Sequence, residues 1–397
     1  MTMLRIGDDD IAADLGVLER AWLDPAPFAL APARSGKDDA WFKAAAAAVP
    51  PIPHAFALLT SGSTGRPKLV VGSRERAKAL AATLHAAQEL EPVKQAVVAL
   101  PLTYSYAFVN QWVWAHTFGR PIVPTPGFAR PNELLAALER ADDALLCLVG
   151  TQVDLVVRSF GTRAFAGVAR VCFAGGRFPE ERLDDVRRSF PRAAIFNNYG
   201  CAEAMPRLSL RRAEPARDAA HIGWPLPGID LTIAEDGALK FRSPYGALGW
   251  ADEQGWHPVS AETWVPTGDL AAREDDGGFR LLGRAGDVFK RHGEKVSMVE
   301  LMSTVLGVWN GEAALYRETD SSGEPGCVLA LSPAPSPAEL RNILLALRER
   351  HVRAQWPLRL ESISAMPRLA SGKIDQLALA TLPARTTHWY QRIGNAA

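Results

Sequence analysis

The segment Leu58-Leu59-Thr60-Ser61-Gly62-Ser63-Thr64-Gly65-Arg66-Pro67-Lys68 places two glycines, four hydroxyl side chains and a lysine directly after an apolar run. Glycines let backbone N–H groups wrap an anion, hydroxyls add donors, and a lysine adds charge. Together they suit a polyphosphate. The spacing is not that of a Walker loop, which needs four residues between its glycines and Lys-Ser/Thr immediately after the second. A flexible Ser/Gly linker is the bland alternative. The position between two apolar, strand-like runs, residues 55–59 and 69–71, argues against it.

Other chemistries are disfavoured by composition. The 397 residues carry 44 Lys+Arg and 44 Asp+Glu, and zero net charge is a poor basis for coating nucleic acid or anionic lipid. Cys147, Cys172, Cys201 and Cys327 are too scattered for a disulfide framework and form no CxxC pair. The eight histidines make no HExxH or HxH cluster. The first ten residues turn acidic at once, and no run of ~18 apolar residues occurs. The expectation is a reduced, cytoplasmic protein with no nucleic-acid or membrane partner. Its length and hydrophobic content predict two or three globular domains.

Further segments stand out along the chain: Asn198-Tyr199-Gly200-Cys201-Ala202-Glu203, Trp264-Val265-Pro266-Thr267-Gly268-Asp269, Gly283-Arg284 through Gly293-Glu294-Lys295-Val296 to Glu300, and Leu369-Ala370-Ser371-Gly372-Lys373-Ile374-Asp375. With the Thr60 to Lys68 loop, they resemble in type and order the motifs of the adenylate-forming superfamily: acyl- and aryl-CoA ligases, peptide-synthetase adenylation domains and luciferases. The resemblance covers roughly residues 50–380 and is specific because five moderate motifs share one order.

That resemblance implies in-line attack of a carboxylate on the α-phosphate of ATP, with Mg²⁺ as cofactor. Thr60, Ser61, Gly62, Ser63, Thr64, Gly65 and Lys68 would hold the β- and γ-phosphates. Glu203 would hold Mg²⁺, with Thr60 beside it. Tyr199 would stack on adenine, and Gly175, Gly176 and Arg177 would edge it. Asp269 would accept from both ribose hydroxyls, and Arg284 would donate to the ribose. Lys373 would reach the carboxylate and the α-phosphate. Gly286 would be the pivot on which a small domain rotates between adenylation and thioester formation.

The row Pro101 to Asn110 falls where the family lines its acid pocket. Tyr104, Tyr106 and Asn110, with Gly200 and Cys201, would form that pocket, and two tyrosines suit an aryl or hydroxyaryl acid. Core packing is the alternative for this row. A short or medium acyl chain is the second substrate choice, and an amino acid the third. The acceptor thiol is CoA or the phosphopantetheine arm of a separate carrier protein. A catalytically silent nucleotide-binding protein is a further reading, since Ala202 stands where relatives carry Thr. The loop begins early for the family, so a truncated N-terminal region is expected, with self-association, a homodimer, covering the exposed flank.

Positioning these residues needs an α/β fold. Short apolar runs at residues 96–100, 145–149, 168–173 and 194–196 alternate with helical patterns, which implies a mostly parallel sheet covered on both faces. Ser73 reads as the cap of a helix through Ala77, Leu80, Ala81 and Leu84, Asn132 as the cap of another, and residues 180–190 as a third. Residues 1–50 read as helical and Ala-rich. After residue 221 half-exposed strands predict a small β subdomain. The predicted division is a large N-terminal domain, 1–284, and a small mobile α+β domain, 285–397. The latter's best-marked helix starts at Ser336-Pro337, with Glu339 completing a capping box.

Overall fold

The computed structural model describes residues 3–31, 36–60, 67–176, 178, 180–214, 220–368 and 374–391. The chain divides into two compact units. One comprises Met1–Thr267 with Ala271–Leu281, and the other Gly268–Leu270 with Leu282–Ala397.

The first unit is built on two large sheets. In one, β1 (Leu4–Ile6), β2 (Phe28–Leu30) and β3 (Ala55–Thr60) run parallel, and β4 (Lys68–Ser73) returns antiparallel to β3. The hairpin Gly249–Asp252 and Gly255–Pro258 completes it, with Val70 opposite Trp250. In the other, β5 (Gln95–Val98), β6 (Ile122–Pro124), β7 (Ala144–Val149), β8 (Val168–Ala174) and β9 (Ala194–Tyr199) are parallel. Antiparallel β10 (Ser209–Arg212) and β11 (Trp224–Pro225) extend its β9 edge.

Alternation along the apolar strands explains the layering. Leu145 and Cys147 of β7 face a core shared with Phe28, Phe56 and Val70 of the first sheet and with the helix Arg74–Ala87. Leu146 and Leu148 face the opposite way, onto the helices Pro131–Glu139, Val153–Phe160 and Leu183–Ser189. The outer face of the first sheet packs on the helix Gly36–Ala48 through Phe42 and Ala45. This is the mixed α/β architecture expected from sequence.

Several local expectations need correction. Residues 1–50 are not uniformly helical, because β1 precedes the three helices there and β2 separates the second from the third. A three-residue strand is too short to show a period. The helix at 131–139 begins on Pro131, with Arg130 as its cap, so Asn132 lies inside the first turn. Residues 180–190 split into a 3₁₀ turn, Glu180–Arg182, and the helix Leu183–Ser189. Ser73 does cap its helix, accepting from the Arg76 N–H at 3.4 Å.

Arg74, buried beside that cap, ties the N-terminal segment down. Its guanidinium donates to the carbonyls of Trp22 (2.7 Å), Ala26 (2.6 Å) and Ala55 (3.3 Å), and to that of Asp24. The strands Asp230–Ile233, Ala238–Arg242, Val265–Arg273 and Phe279–Arg284 form a small separate sheet.

The second unit has a four-stranded sheet in the order Glu312–Thr319, Pro325–Ser332, Arg359–Ser362, Thr386–Tyr390. Leu329 and Leu331 face the helices Met298–Leu306 and Pro337–Arg350, while Val328 and Ala330 face Leu379 of the helix Gln376–Thr381. The capping box is formed. Ser336 Oγ accepts from the Glu339 N–H at 3.3 Å, and Glu339 Oε2 accepts from the Ser336 N–H at 2.8 Å. Among the described residues, no helix is long and apolar enough to cross a membrane.

Candidate functional site

The hairpin of β3 and β4 delivers the two ends of the hydroxyl-rich loop side by side. Thr60 pairs with Lys68 in the strand register, and Thr60 Oγ1 lies 3.5 Å from the Lys68 carbonyl. The loop itself, Ser61, Gly62, Ser63, Thr64, Gly65 and Arg66, lies outside the described residues. Lys68 Nζ sits 3.6 Å from Glu203 Oε1 and 5.3 Å from the centroid of the Trp250 ring. Both charged side chains are partly exposed. Glu203 is held by the 3₁₀ turn Ala202–Ala204 that follows β9, and its carbonyl accepts from the Ala247 N–H at 2.9 Å. Nearby, against the push of burial, hydrogen bonds from His257 and the Gln254 N–H hold the Asp252 carboxyl below its usual range, and Lys68 adds to the effect.

This donor set fits a hard divalent cation. Among the described residues Glu203 makes one long ion pair, with Lys68, which leaves lone pairs available, and a cation such as Mg²⁺ takes its remaining oxygens from phosphate and water. Among the described residues no group of three or more His, Cys, Asp or Glu side chains could hold a metal by itself.

The ends of β7, β8 and β9 bring the next group together. Gly175 has φ +80°, and a Cβ there would collide with the Tyr104 hydroxyl, so both backbone and packing require glycine. Space beside Gly176 is open, and Arg177 lies outside the described residues. Gly200 packs so tightly that a Cβ would meet the Pro206 carbonyl oxygen at 1.9 Å. Tyr199 and Cys201, on either side of it, are half-buried.

Tyr104 is followed by a short helix, Ser105–Ala107, a π-helical segment, Phe108–Val113, and a helix, Trp114–Phe118. The rings of Tyr104 and Tyr106 meet edge to face at 6.3 Å. Tyr106 and Asn110 are fully buried, which the sequence did not distinguish from pocket lining. The Tyr106 hydroxyl donates to the Cys172 carbonyl at 2.6 Å. Asn110 contacts Gln88 (3.4 Å), Cys147 Sγ (3.4 Å) and Arg207 (3.2 Å). Gln88 in turn donates to Asn198 at 2.7 Å. Sequence reasoning missed Gln88, Asn198, Arg207 and Trp250. Only Asn198 stood inside a recognisable motif, and nothing in the chain marks the other three as neighbours.

In the second unit, buried Asp269 is paired with Arg284 through a 2.9 Å contact to Nε. Burial pushes the carboxyl of neighbouring Asp287 up, with Arg284 opposing. Gly286 is in the 3₁₀ turn Ala285–Asp287, has open space where a Cβ would stand, and presents its carbonyl to Arg317 at 3.0 Å. Gly293 (φ +84°), with His292 (φ +50°), forms the two-residue turn joining Val288–Arg291 to Glu294–Ser297. Lys373 and the rest of residues 369–373 lie outside the described residues.

A phosphate-suited hairpin, a carboxylate beside its lysine and glycine-rich turns at the strand ends agree with the comparison to known proteins. The AMP-binding enzyme family matches over residues 11–247. The chain belongs to that family. This AMP-binding enzyme is 26% identical over 352 residues to the non-ribosomal peptide synthetase CmlP of Streptomyces venezuelae, a match covering 84% of this chain and 35% of CmlP. It is 24% identical over 351 residues to 3-[(3aS,4S,7aS)-7a-methyl-1,5-dioxo-octahydro-1H-inden-4-yl]propanoyl:CoA ligase of Mycobacterium tuberculosis, covering 85% of this chain and 68% of the relative. The chain therefore spans about a third of CmlP's length. Its fold is similar to that of o-succinylbenzoate coenzyme A synthetase (MenE) from Bacillus subtilis in complex with AMP. The TM-score is 0.70 at 20% identity, covering 84% of this chain and 70% of MenE.

Proposed function

We propose that this AMP-binding enzyme adenylates a carboxylic acid and passes the acyl group to a thiol. A carboxylate oxygen attacks the α-phosphorus of ATP and the bond to the β-phosphate breaks. Pyrophosphate leaves with the electron pair, and the acyl-AMP then acylates the sulfur and releases AMP. The observation that carries this reading is Lys68 beside Glu203 at the open end of the β3–β4 hairpin. Two anions must meet in the reaction, so cationic and donor groups have to stabilise the charge that builds up.

In this reading Lys68, Thr60 and the loop 61–65 bind the β- and γ-phosphates. Glu203, with Thr60 near it, holds the Mg²⁺ that supplies positive charge to the triphosphate. Tyr199 stacks on adenine, with Gly175, Gly176 and Arg177 at its edge. Asp269 takes the ribose hydroxyls with Arg284 next to it. Lys373 orients the carboxylate against the α-phosphate, and Gly286 lets the second unit turn between the two half-reactions. Tyr104, Gly200 and Cys201 line the acid, Tyr106 and Asn110 back them, and an aryl acid is the first choice. CoA is the preferred acceptor by resemblance of residues 293–297. A carrier protein is the second reading, supported by the similarity to a peptide synthetase.

ATP–pyrophosphate exchange over a panel of aryl, alkyl and amino acids tests this. Exchange dependent on an aryl acid is expected, and added CoA should then yield the thioester. No exchange with any acid overturns the reading in favour of a catalytically silent nucleotide-binding protein.

A further inference from the structure

A lysine that serves phosphate has to be held in place without being neutralised, because its stem is flexible and its charge is what the phosphates need. The Glu203 carboxylate, 3.6 Å from Lys68 Nζ, spends that charge. The adenylation reading also assigns Glu203 to Mg²⁺, so Glu203 cannot be what holds Lys68 in a loaded site. A different neighbour meets the requirement. Lys68 Nζ lies 5.3 Å from the centroid of the Trp250 ring. An aromatic face attracts a cation through its quadrupole, and it neither cancels the charge nor occupies the ammonium N–H donors.

The strand register builds this contact. Val70 of β4 stands opposite Trp250, and Thr60 of β3 opposite Lys68. Opposed residues of an antiparallel pair share a face, as do residues two apart in a strand, so Thr60, Lys68 and Trp250 lie on one face. Leu69, Val71 and Ala251 lie on the other, in the core under the helix Gly36–Ala48, and that burial pins the register. His257, opposite Trp250 in its hairpin, stacks on the indole at 5.5 Å with 20° between the planes. The His257 ring is fixed in turn, with Nε2 2.9 Å from Asp252 Oδ1. Asp252, whose carboxyl feels the Lys68 charge, is itself engaged, since the same oxygen accepts from the Gln254 N–H at 2.8 Å. We propose that Trp250 is a positioning residue for the phosphate lysine. Its braced ring holds the Lys68 ammonium at the open end of the β3–β4 hairpin with the donors free for the β- and γ-phosphates. This rests on the phosphate role given to Lys68 and adds a residue that the adenylation reading does not use. Its benefit goes to ATP, which carries those phosphates, and not to AMP, which lacks them.

The test is calorimetric titration of the full chain with ATP and with AMP, each with Mg²⁺. Trp250→Leu keeps an apolar side chain and removes the ring. It should weaken ATP binding about fivefold, the size of a partly buried cation–π contact, and leave AMP binding unchanged. Trp250→Phe, which keeps a ring, should recover part of the loss. In a Lys68→Met background Trp250→Leu should cost nothing further, because Trp250 acts through Lys68. Trp250→Gln repeats the comparison with a second ring-free side chain in case Trp250→Leu does not fold. Equal losses for ATP and AMP, an unaltered ATP affinity, or the same loss with and without Lys68 would each overturn the proposal. Unfolding of both ring-free variants would overturn it too, since the ring would then belong to the scaffold. ATP–pyrophosphate exchange separates this from the wider reading. A Trp250 effect on ATP binding in a protein that exchanges with no acid removes adenylation and keeps the positioning role, and exchange without the effect does the reverse. Wild-type protein that binds no ATP removes both.

Discussion

Lys68 and Glu203 show how far residue types alone could be read. Each sits in a motif legible in the chain, and the resemblance assigned each a phosphate or metal role. Their 3.6 Å approach needed the fold, because it depends on β9 ending opposite the β3–β4 hairpin. Replacing Glu203 with Gln keeps the shape and removes the charge. Exchange should fall roughly 100- to 1,000-fold, the usual loss when one group stabilising a developing charge is removed, while the melting temperature stays close to wild type. A change of less than about threefold would show that Glu203 is only a surface partner of Lys68. Arg207 marks the opposite limit. Sequence shows a charged residue beside apolar ones, and only the packed structure shows that it is buried with no acid paired to it among the described residues.

Elements were legible in proportion to their length and regularity. Uniformly apolar β7, the Ser73 cap and the Ser336–Glu339 box could be read because each depends on neighbours within one turn or one strand. The three-residue strands β1 and β2 and the π-helical turn at Phe108–Val113 could not, since their existence is decided by distant partners. The hairpin 249–258 likewise joins the first sheet only because β4 offers it an edge.

The second unit contains an element whose stability has a defined pH dependence. Hydrogen bonds from the Ser322 hydroxyl and N–H, the Glu324 N–H and Arg291 hold the Asp320 carboxyl down at about 2. A folded pKa below the unfolded value of about 4 means that this stabilisation is complete above about pH 4 and fades as the pH falls towards about 2. Asp320→Asn should therefore be less stable than wild type in chemical denaturation at pH 6, with the gap narrowing as the pH falls and mostly gone only at about pH 2. A gap that stays constant across this range would show that Asp320 contributes no ionised interaction.

At the scale of the whole molecule, the chain is an AMP-binding enzyme in two compact units, and the residues proposed for its chemistry occur in both. Lys68, Thr60, Glu203 and Tyr199 belong to one, and Asp269, Arg284 and Gly286 to the other. The most direct measurement follows the oxygen. When the acid that supports exchange is supplied with both carboxylate oxygens as ¹⁸O and turned over with ATP, Mg²⁺ and CoA or a carrier thiol, AMP should be released carrying one ¹⁸O atom. Unlabelled AMP, or ADP as the nucleotide product, would contradict attack of the carboxylate on the α-phosphate.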